Sequence, residues 1–245
     1  MKLTTGLFTL LLATHVPALM AGTIVPNANA TTAGNTDNRF PFLVTGGIVY
    51  EQVFAASQFS GPLTIGEIDF RNGILVNQAF SVTIANIQIS LSTVSVGPDG
   101  LSTNFASNLG ADNTVVYNGS LTISSANGAG PGNTKEFDIA IHLQTPFAYN
   151  PAAGNLLLFI DNISGVSSNV GTDYFDAVNT VGDSVSRLIG VEGSPHATSG
   201  LADSLGLIAQ FGAAPTAAPE PGYLVLTGLG VALIGSWRRK TSFRN

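Results

Sequence analysis

Residues 137–143 carry the strictest hydrophobic alternation in the chain, with an apolar side chain at every second position. A period of two puts alternate side chains on opposite faces of a strand, so this stretch predicts a β-strand with one buried face. Other short β-capable segments recur between clusters of Gly, Pro, Asn and Asp. These segments are 48–54, 63–70, 80–84, 87–91, 115–117, 121–123, 156–160, 185–189 and 205–211. About ten short strands without a long helix predict an all-β fold, namely a single antiparallel two-sheet β-sandwich that is jelly-roll-like.

Several positions predict irregularities within these strands. Gly66 separates two apolar runs of opposite parity and predicts a β-bulge. Ala85-Asn86 separates two further runs in the same way and predicts a bulge or a turn. Asn118-Gly119 is typical of a β-hairpin turn, although the linking stretch is also compatible with a bent strand. Residues 156–160 are continuously apolar, as expected for a strand that is buried on both faces.

The composition excludes several classes of protein. Of the 245 residues, 44% are hydrophobic, 10% are charged and none is cysteine. These values exclude a disordered chain, a disulfide scaffold and a zinc ribbon. Residues 31–212, the predicted β-sandwich domain, hold 14 of the 15 acidic residues but only four of the nine basic ones. An acidic domain disfavours nucleic acid and anionic lipid as partners.

The N-terminus has the parts of a secretory signal peptide. Lys2 gives a minimal positive start, residues 3–19 are mostly apolar, and small residues follow. Cleavage is expected after Ala21 or Ala30, since both end stretches of small residues. Residues 1–30 are therefore assigned to a signal peptide, which implies the secretion translocon and signal peptidase as partners.

The C-terminus holds three consecutive elements after a small-residue linker at 213–218. Pro219, Glu220 and Pro221 precede 16 uncharged residues, 222–237, and the basic residues Arg238, Arg239 and Lys240 follow. Sixteen helical residues span about 24 Å, which is short of the roughly 30 Å of a bilayer core. A basic cluster after an apolar segment stays on the cytoplasmic side. Residues 219–245 are thus predicted to anchor an exported domain transiently in the inner membrane through a short transmembrane helix.

These C-terminal elements, in this order and spacing, resemble the PEP-CTERM sorting signal of Gram-negative bacteria. In that family the membrane protease exosortase processes the protein near the Pro-Glu-Pro motif and releases or re-attaches it at the cell surface. The resemblance implies that Pro219, Glu220 and Pro221 are the recognition residues and that exosortase is a partner. The chain continues past Lys240 for longer than the common pattern.

The core is similar to a functionally uncharacterised group of exported proteins with the same kind of tail. Three stretches carry this similarity: 50–57, which is Tyr-Glu-Gln-Val-Phe-Ala-Ala-Ser, 86–93, which is Asn-Ile-Gln-Ile-Ser-Leu-Ser-Thr, and 145–147 together with 154–158. The similarity implies a β-sandwich and brings no known activity with it.

One pair of carboxylates stands at strand spacing. Glu67 and Asp69 share a predicted strand face and are separated by about 6.8 Å along it, within the range of glycosidase carboxylates. Arg71 follows on the same face and is expected to neutralise part of their charge. Any solvated strand face gives the same spacing by default. These residues therefore support only a remote glycosidase-like alternative, and no catalytic residue is assigned.

The two histidines of the predicted domain do not indicate a metal or catalytic site. Asp138 and His142 share a strand face but lie about 13 Å apart along it. His196 lies in a loop that has no acidic neighbour in the sequence. Two distant histidines without cysteine disfavour zinc, and the chain has no G-x-S-x-G motif of serine hydrolases.

Two kinds of ligand stay open. Calcium is the metal that the loop composition favours most, because Asp and Asn side chains supply hard oxygen ligands. The candidate residues are Asp99, Asp112, Asp173 and Asp176, although their spacing matches no known calcium loop. Exposed aromatic rings are a common platform for sugars, and Tyr149 and Tyr174 are the candidates because they lie in loop-like segments.

The leading hypothesis is an exported, non-enzymatic protein of the Gram-negative cell envelope or surface. It would have a structural or adhesive role in the surface layer or extracellular polymer, with polysaccharide as a further partner. The alternative is a carbohydrate-binding module, assisted by calcium in one version. The remote alternative is a glycosidase-like enzyme that uses Glu67 and Asp69.

Overall fold

The structure, a computed structural model, describes residues 22–167 and 174–213. Within these ranges the chain forms thirteen β-strands and three short 3₁₀-helices. The strands are β1 (Thr23–Val25), β2 (Thr36–Asn38), β3 (Ile48–Phe54), β4 (Leu63–Phe70), β5 (Phe80–Val94), β6 (Thr114–Ser125), β7 (Ile139–Tyr149), β8 (Asn155–Asn162), β9 (Phe175–Asn179), β10 (Val185–Ile189), β11 (Leu201–Asp203), β12 (Leu205–Leu207) and β13 (Ala209–Gly212). The helices are Asn27–Asn29, Ala56–Gln58 and Phe105–Ser107. The prediction of an all-β fold is confirmed.

The predicted sorting tail and most of the predicted signal peptide lie outside the described residues. The predicted transmembrane segment 222–237 belongs to the undescribed part of the chain. Among residues 22–167 and 174–213, no helix has the length and apolar character that crossing a membrane requires. The signal peptide and the sorting tail therefore stay predictions.

The described strands form three antiparallel sheets. A four-stranded sheet has the order β1-β13-β4-β7, and a six-stranded sheet has the order β11-β10-β3-β8-β5-β6. A small third sheet, which the sequence did not predict, consists of β12, β9 and β2. All neighbouring strands in these sheets pair antiparallel.

One apolar core lies between the four-stranded and the six-stranded sheet. Ile68 and Phe211 enter it from the first sheet, and Phe54 and Ile160 enter it from the second. The rings of Phe54 and Phe211 pack edge to face with centroids 4.9 Å apart. Burying each such side chain contributes about 1.5–3 kcal/mol, so the shared core holds the two sheets together. The fold is thus β-sandwich-like, whereas the jelly-roll connectivity stays a prediction.

A second apolar cluster covers the outer face of the six-stranded sheet. Val53 of β3 and Leu157 of β8 cluster there with Leu101 and Phe105 from the long connection between β5 and β6. Strands β3 and β8 are therefore buried on both faces, which confirms the prediction for residues 156–160. The same cluster fixes a Gly-, Ser- and Asn-rich connection on the surface of the sheet.

The predicted strand irregularities occur at the expected positions. The register between β4 and β7 shifts from Ile65 to Glu67, which confirms a bulge at Gly66. The register between β5 and β6 shifts between Ile84 and Ile87, so Ala85-Asn86 is a bulge inside one long strand rather than a turn.

The hairpin interpretation of Asn118-Gly119 is wrong, and the bent-strand alternative is correct. Both residues lie inside the continuous strand β6. Gly119 has a φ of 134°, a conformation that favours glycine and lets the strand bend without turning back. The Gln144 side chain of β7 donates to the backbone oxygen of Asn118 and accepts from its nitrogen, at 3.2 and 3.0 Å. This side chain therefore covers part of the free edge of β6 and protects it from further strand pairing.

Two boundaries differ from those expected. Residues 205–211 form two strands instead of one, because the chain leaves the small sheet after β12 and joins the four-stranded sheet at β13. The folded unit also starts before residue 31. Strand β1 pairs with β13, and Val25 is completely buried in the core.

Candidate functional site

The carboxylates Glu67 and Asp69 lie on the outward face of β4, while Ile68 between them points into the core. Glu67 is paired in register with His142 on β7, and Glu67 Oε2 lies 2.6 Å from His142 Nδ1. The imidazole is 65% exposed, so this contact is open to solvent. It becomes an ion pair when the imidazole is protonated.

Asp69 is almost completely buried beside this pair, with 7% of its surface exposed. Burial, the charge of Glu67 and a hydrogen bond with Glu67 together raise its pKa to about 8. The raised pKa favours the protonated form of Asp69 beside Glu67.

Arg71 does not neutralise the carboxylate pair as expected. It is fully buried and forms an ion pair with Asp176, with Nε 2.7 Å from Oδ2. Its Nη2 donates to the carbonyl oxygen of Thr32 at 2.9 Å, and its guanidinium lies over the ring of Phe137. The backbone nitrogen of Gly34 donates to the other oxygen of Asp176 at 2.8 Å. This arrangement connects β4, β9 and the N-terminal segment.

The predicted calcium candidates do not come together in the described part of the chain. Asp176 is the partner of Arg71, and Asp173 lies outside the described residues. Asp99 accepts a hydrogen bond from the backbone of Gly182, and Asp112 accepts one from the backbone of Thr93, both at 2.7 Å. Among the described residues, no group of three or more acidic, histidine or cysteine side chains is arranged to hold a metal ion.

The two histidines of the described residues, His142 and His196, both contact carboxylates. His196 has an acidic neighbour in space that its local sequence does not show, because Asp161 of β8 bonds both its Nδ1 and its backbone nitrogen. The backbone of His196 has a φ of 60°, so these two bonds hold a loop residue in an uncommon conformation. Asp138 does not contact His142 and instead accepts a hydrogen bond from the backbone of Ala126 at 2.8 Å.

The aromatic candidates do not form a sugar platform. Tyr149 and Tyr174 are buried, with 1% and 6% of their surfaces exposed. The Tyr149 hydroxyl donates to the carbonyl oxygen of Gly154, and its ring packs edge to face against Phe59. The Tyr174 ring packs against Phe80 with centroids 5.2 Å apart. Neither ring offers an exposed face, so this interpretation of the two tyrosines is wrong.

Sequence reasoning missed a buried carboxyl on the outer face of the six-stranded sheet. Glu51 on β3 is completely buried, and its Oε2 accepts a hydrogen bond from the Asn108 side chain at 2.7 Å. Burial raises the pKa of Glu51 to about 8, although the hydrogen bond from Asn108 opposes this rise. The signal available in the sequence was a single acidic residue inside the otherwise uncharged run 48–54.

Sequence reasoning also missed an open surface cavity of about 550 Å³. The helix Asn27–Asn29, the corner at Ser57-Gln58 and the turn between β9 and β10 line it. Its walls come from segments far apart in sequence, so no local pattern could have indicated it.

Comparisons of the chain with protein-family models, curated proteins and solved structures give no match. The functional conclusion therefore depends on the residues and on their arrangement.

Proposed function

We propose that the chain is an exported, non-enzymatic protein of the Gram-negative cell envelope with a structural or adhesive role at the cell surface. The observation that carries this proposal is that three of its carboxylates contact residues on other strands or loops of the fold. Glu67 contacts His142 across two strands, Asp161 holds the loop at His196, and Asp176 holds Arg71. These contacts stabilise the scaffold. Release of reducing ends from a polysaccharide by the full chain, lost in Glu67→Gln, would contradict the non-enzymatic role.

The two ends of the chain support export and sorting. An apolar N-terminal segment after Lys2 fits a secretory signal, and the order of the C-terminal elements fits an exosortase substrate. In this proposal the uncharged segment 222–237 holds the protein in the inner membrane until exosortase acts near Glu220. The β-sandwich-like unit would then be released or attached at the surface.

The first prediction concerns the N-terminus of the mature protein, which we expect at Gly22. Cleavage after Ala21 leaves β1 intact, whereas cleavage after Ala30 would remove β1, expose the edge of β13 and leave a gap in the core at Val25. Intact-mass measurement and N-terminal sequencing of the exported protein distinguish the two positions. A mature protein that begins at Thr31 would contradict this prediction.

The second prediction concerns sorting and tests the proposal directly. In a Gram-negative host that has an exosortase, the protein should reach the surface without the mass of its C-terminal tail. Glu220→Ala should leave full-length protein in the inner membrane, because the recognition motif is altered. Fractionation with mass measurement provides both readouts.

The matched control is Glu136→Ala, which changes an exposed glutamate inside the folded unit. This variant should be sorted like the unaltered chain. Identical processing of the Glu220 and Glu136 variants, or unchanged processing in a host without exosortase, would contradict the proposed sorting.

A further inference from the structure

The connection between β5 and β6 covers part of the outer face of the six-stranded sheet with one short segment, residues 101–109, which we call the strap. Its Leu101 and Phe105 side chains are buried in one cluster with Val53 and Leu188 of the sheet. Burial of two such side chains contributes about 3–6 kcal/mol, whereas many more apolar side chains hold the two sheets together. The strap therefore separates from the sheet at a lower free-energy cost than the sheets separate from each other.

Asn108 is the polar link between the strap and the sheet. Its Oδ1 accepts a hydrogen bond from the backbone nitrogen of Ser102, and its Nδ2 donates to the Ser102 carbonyl oxygen, both at 2.9 Å. These two bonds close the strap on itself. The same Nδ2 also donates to Glu51 Oε2 on β3 at 2.7 Å. One buried amide thus holds the shape of the strap and attaches it to Glu51.

Glu51 lies beneath the strap with little to stabilise a negative charge. It is completely buried, and its Oε1 has no hydrogen-bond partner among the described residues. Its register partners on the neighbouring strands are Leu188 of β10 and Phe159 of β8, both of which are apolar. A buried carboxylate with a single hydrogen bond is strongly unfavourable relative to a carboxylate in water. The charged form of Glu51 is therefore favoured only when the side chain reaches solvent.

The described elements around Glu51 supply no free cation. Strands β3, β5 and β8 and the connection 95–113 contain no Lys or Arg. Arg187 of β10 lies on the opposite face of the sheet, where it forms an ion pair with Asp203. The imidazole of His196 contacts Asp161 on β8. The acidic groups on these elements, apart from Glu51, are Asp99, Asp112 and Asp161.

We infer that the strap is a pH-sensitive cover for this face, which ionisation of Glu51 opens and protonation of Glu51 closes. Opening breaks the bond between Asn108 and Glu51, returns the carboxylate to water and uncovers Val53 and Leu188. The protein thus presents an apolar surface more often in alkaline than in acidic surroundings. The inference is independent of the proposed sorting, because it concerns only the folded unit.

The direction of this pH dependence follows from the state in which Glu51 holds its proton more tightly. Burial raises its pKa from 4.5 to about 8 while the strap is closed, and opening removes that burial. Opening therefore releases one proton, so the equilibrium constant for opening should grow about tenfold per pH unit between about pH 5 and pH 8. Above about pH 8 Glu51 is ionised in both forms, and this constant should stop changing.

Hydrogen exchange of the purified full chain tests the inference, measured by mass spectrometry from about pH 5 to pH 9 and corrected for the intrinsic pH dependence of amide exchange. Peptides covering the strap report on its opening, because the amides of Ser102 and Phe105 donate to Asn108 Oδ1 and to the Thr198 carbonyl oxygen. Peptides covering β4 report on global unfolding. Strap amides should exchange faster than β4 amides, and their protection should fall about tenfold per pH unit up to about pH 8.

Glu51→Gln should remove this pH dependence from the strap, since glutamine keeps an acceptor for Asn108 and cannot ionise. Glu136→Gln, at an exposed position, is the matched control and should behave like the unaltered chain. Strap protection that equals β4 protection at every pH, or that does not change with pH, would overturn the inference. An unchanged pH dependence in folded Glu51→Gln would overturn it as well. The first two outcomes need only the unaltered chain, so the test does not depend on the folding of a variant.

Discussion

Arg71→Met should lower the free energy of unfolding by about 3–5 kcal/mol, because it removes one partner of a buried ion pair. The side chains of Arg71 and Asp176 are 0% and 2% exposed, so water cannot replace the lost contact. Burial already raises the pKa of Asp176, and Arg71 opposes that rise. Without the guanidinium, the carboxylate would remain buried with fewer groups to stabilise its charge. Urea denaturation of the full chain measures the loss.

A more exposed ion pair of the same chemistry provides the control. Arg39 Nη2 lies 2.6 Å from Glu192 Oε2, and the two side chains are 27% and 29% exposed. Arg39→Met should therefore cost about 1 kcal/mol or less. The double variant Arg71→Met with Asp176→Leu should recover part of the loss, because no unpaired charge remains buried. If Arg71→Met and Arg39→Met lower the free energy of unfolding equally, then the burial of the Arg71–Asp176 pair does not increase its contribution to stability.

The local features of the fold could be predicted because they follow from neighbouring residues. Alternation at 139–143 indicates β7, and the parity change around Gly66 indicates the bulge, since both depend only on which face a side chain occupies. Asn118-Gly119 shows the limit of such reasoning. A dipeptide that suits a tight turn also suits a bend, and only the pairing of β6 with β5 over its whole length decides between them.

The polar contacts could not be predicted because they join residues that are distant in sequence. Arg71 and Asp176 are 105 positions apart, and Asp161 and His196 are 35 apart. From sequence alone, Arg71 had a nearer candidate partner in the Glu67-Asp69 pair on its own strand. The tyrosines were misplaced for a related reason, since loop-like neighbours do not show whether a ring packs inward. Tyr149 is buried because its hydroxyl bonds to Gly154 and its ring meets Phe59.

The buried carboxyl of Glu51 should make the stability of the protein depend strongly on pH. Its pKa rises from 4.5 in the unfolded chain to about 8 in the fold, so the folded state holds the proton more tightly. The stabilisation is complete below about pH 4.5 and is lost as pH rises to about 8. A shift of this size corresponds to a loss of about 5 kcal/mol. The pKa of Asp69 is also raised to about 8, so Asp69 should further lower the free energy of unfolding as pH rises.

Glu51→Gln isolates the contribution of this one group. Glutamine cannot ionise and still offers an oxygen to Asn108, so the bond that anchors the connection between β5 and β6 is kept. The variant should match the unaltered chain near pH 4.5 and should exceed it by several kcal/mol near pH 8.5, measured by urea denaturation at both values. Glu136→Gln, at an exposed position, should follow the unaltered chain at both. The prediction fails if the difference in unfolding free energy between Glu51→Gln and the unaltered chain is the same at pH 4.5 and pH 8.5. In that case Glu51 does not bind its proton more tightly in the folded state than in the unfolded chain, and the second apolar cluster does not control its ionisation.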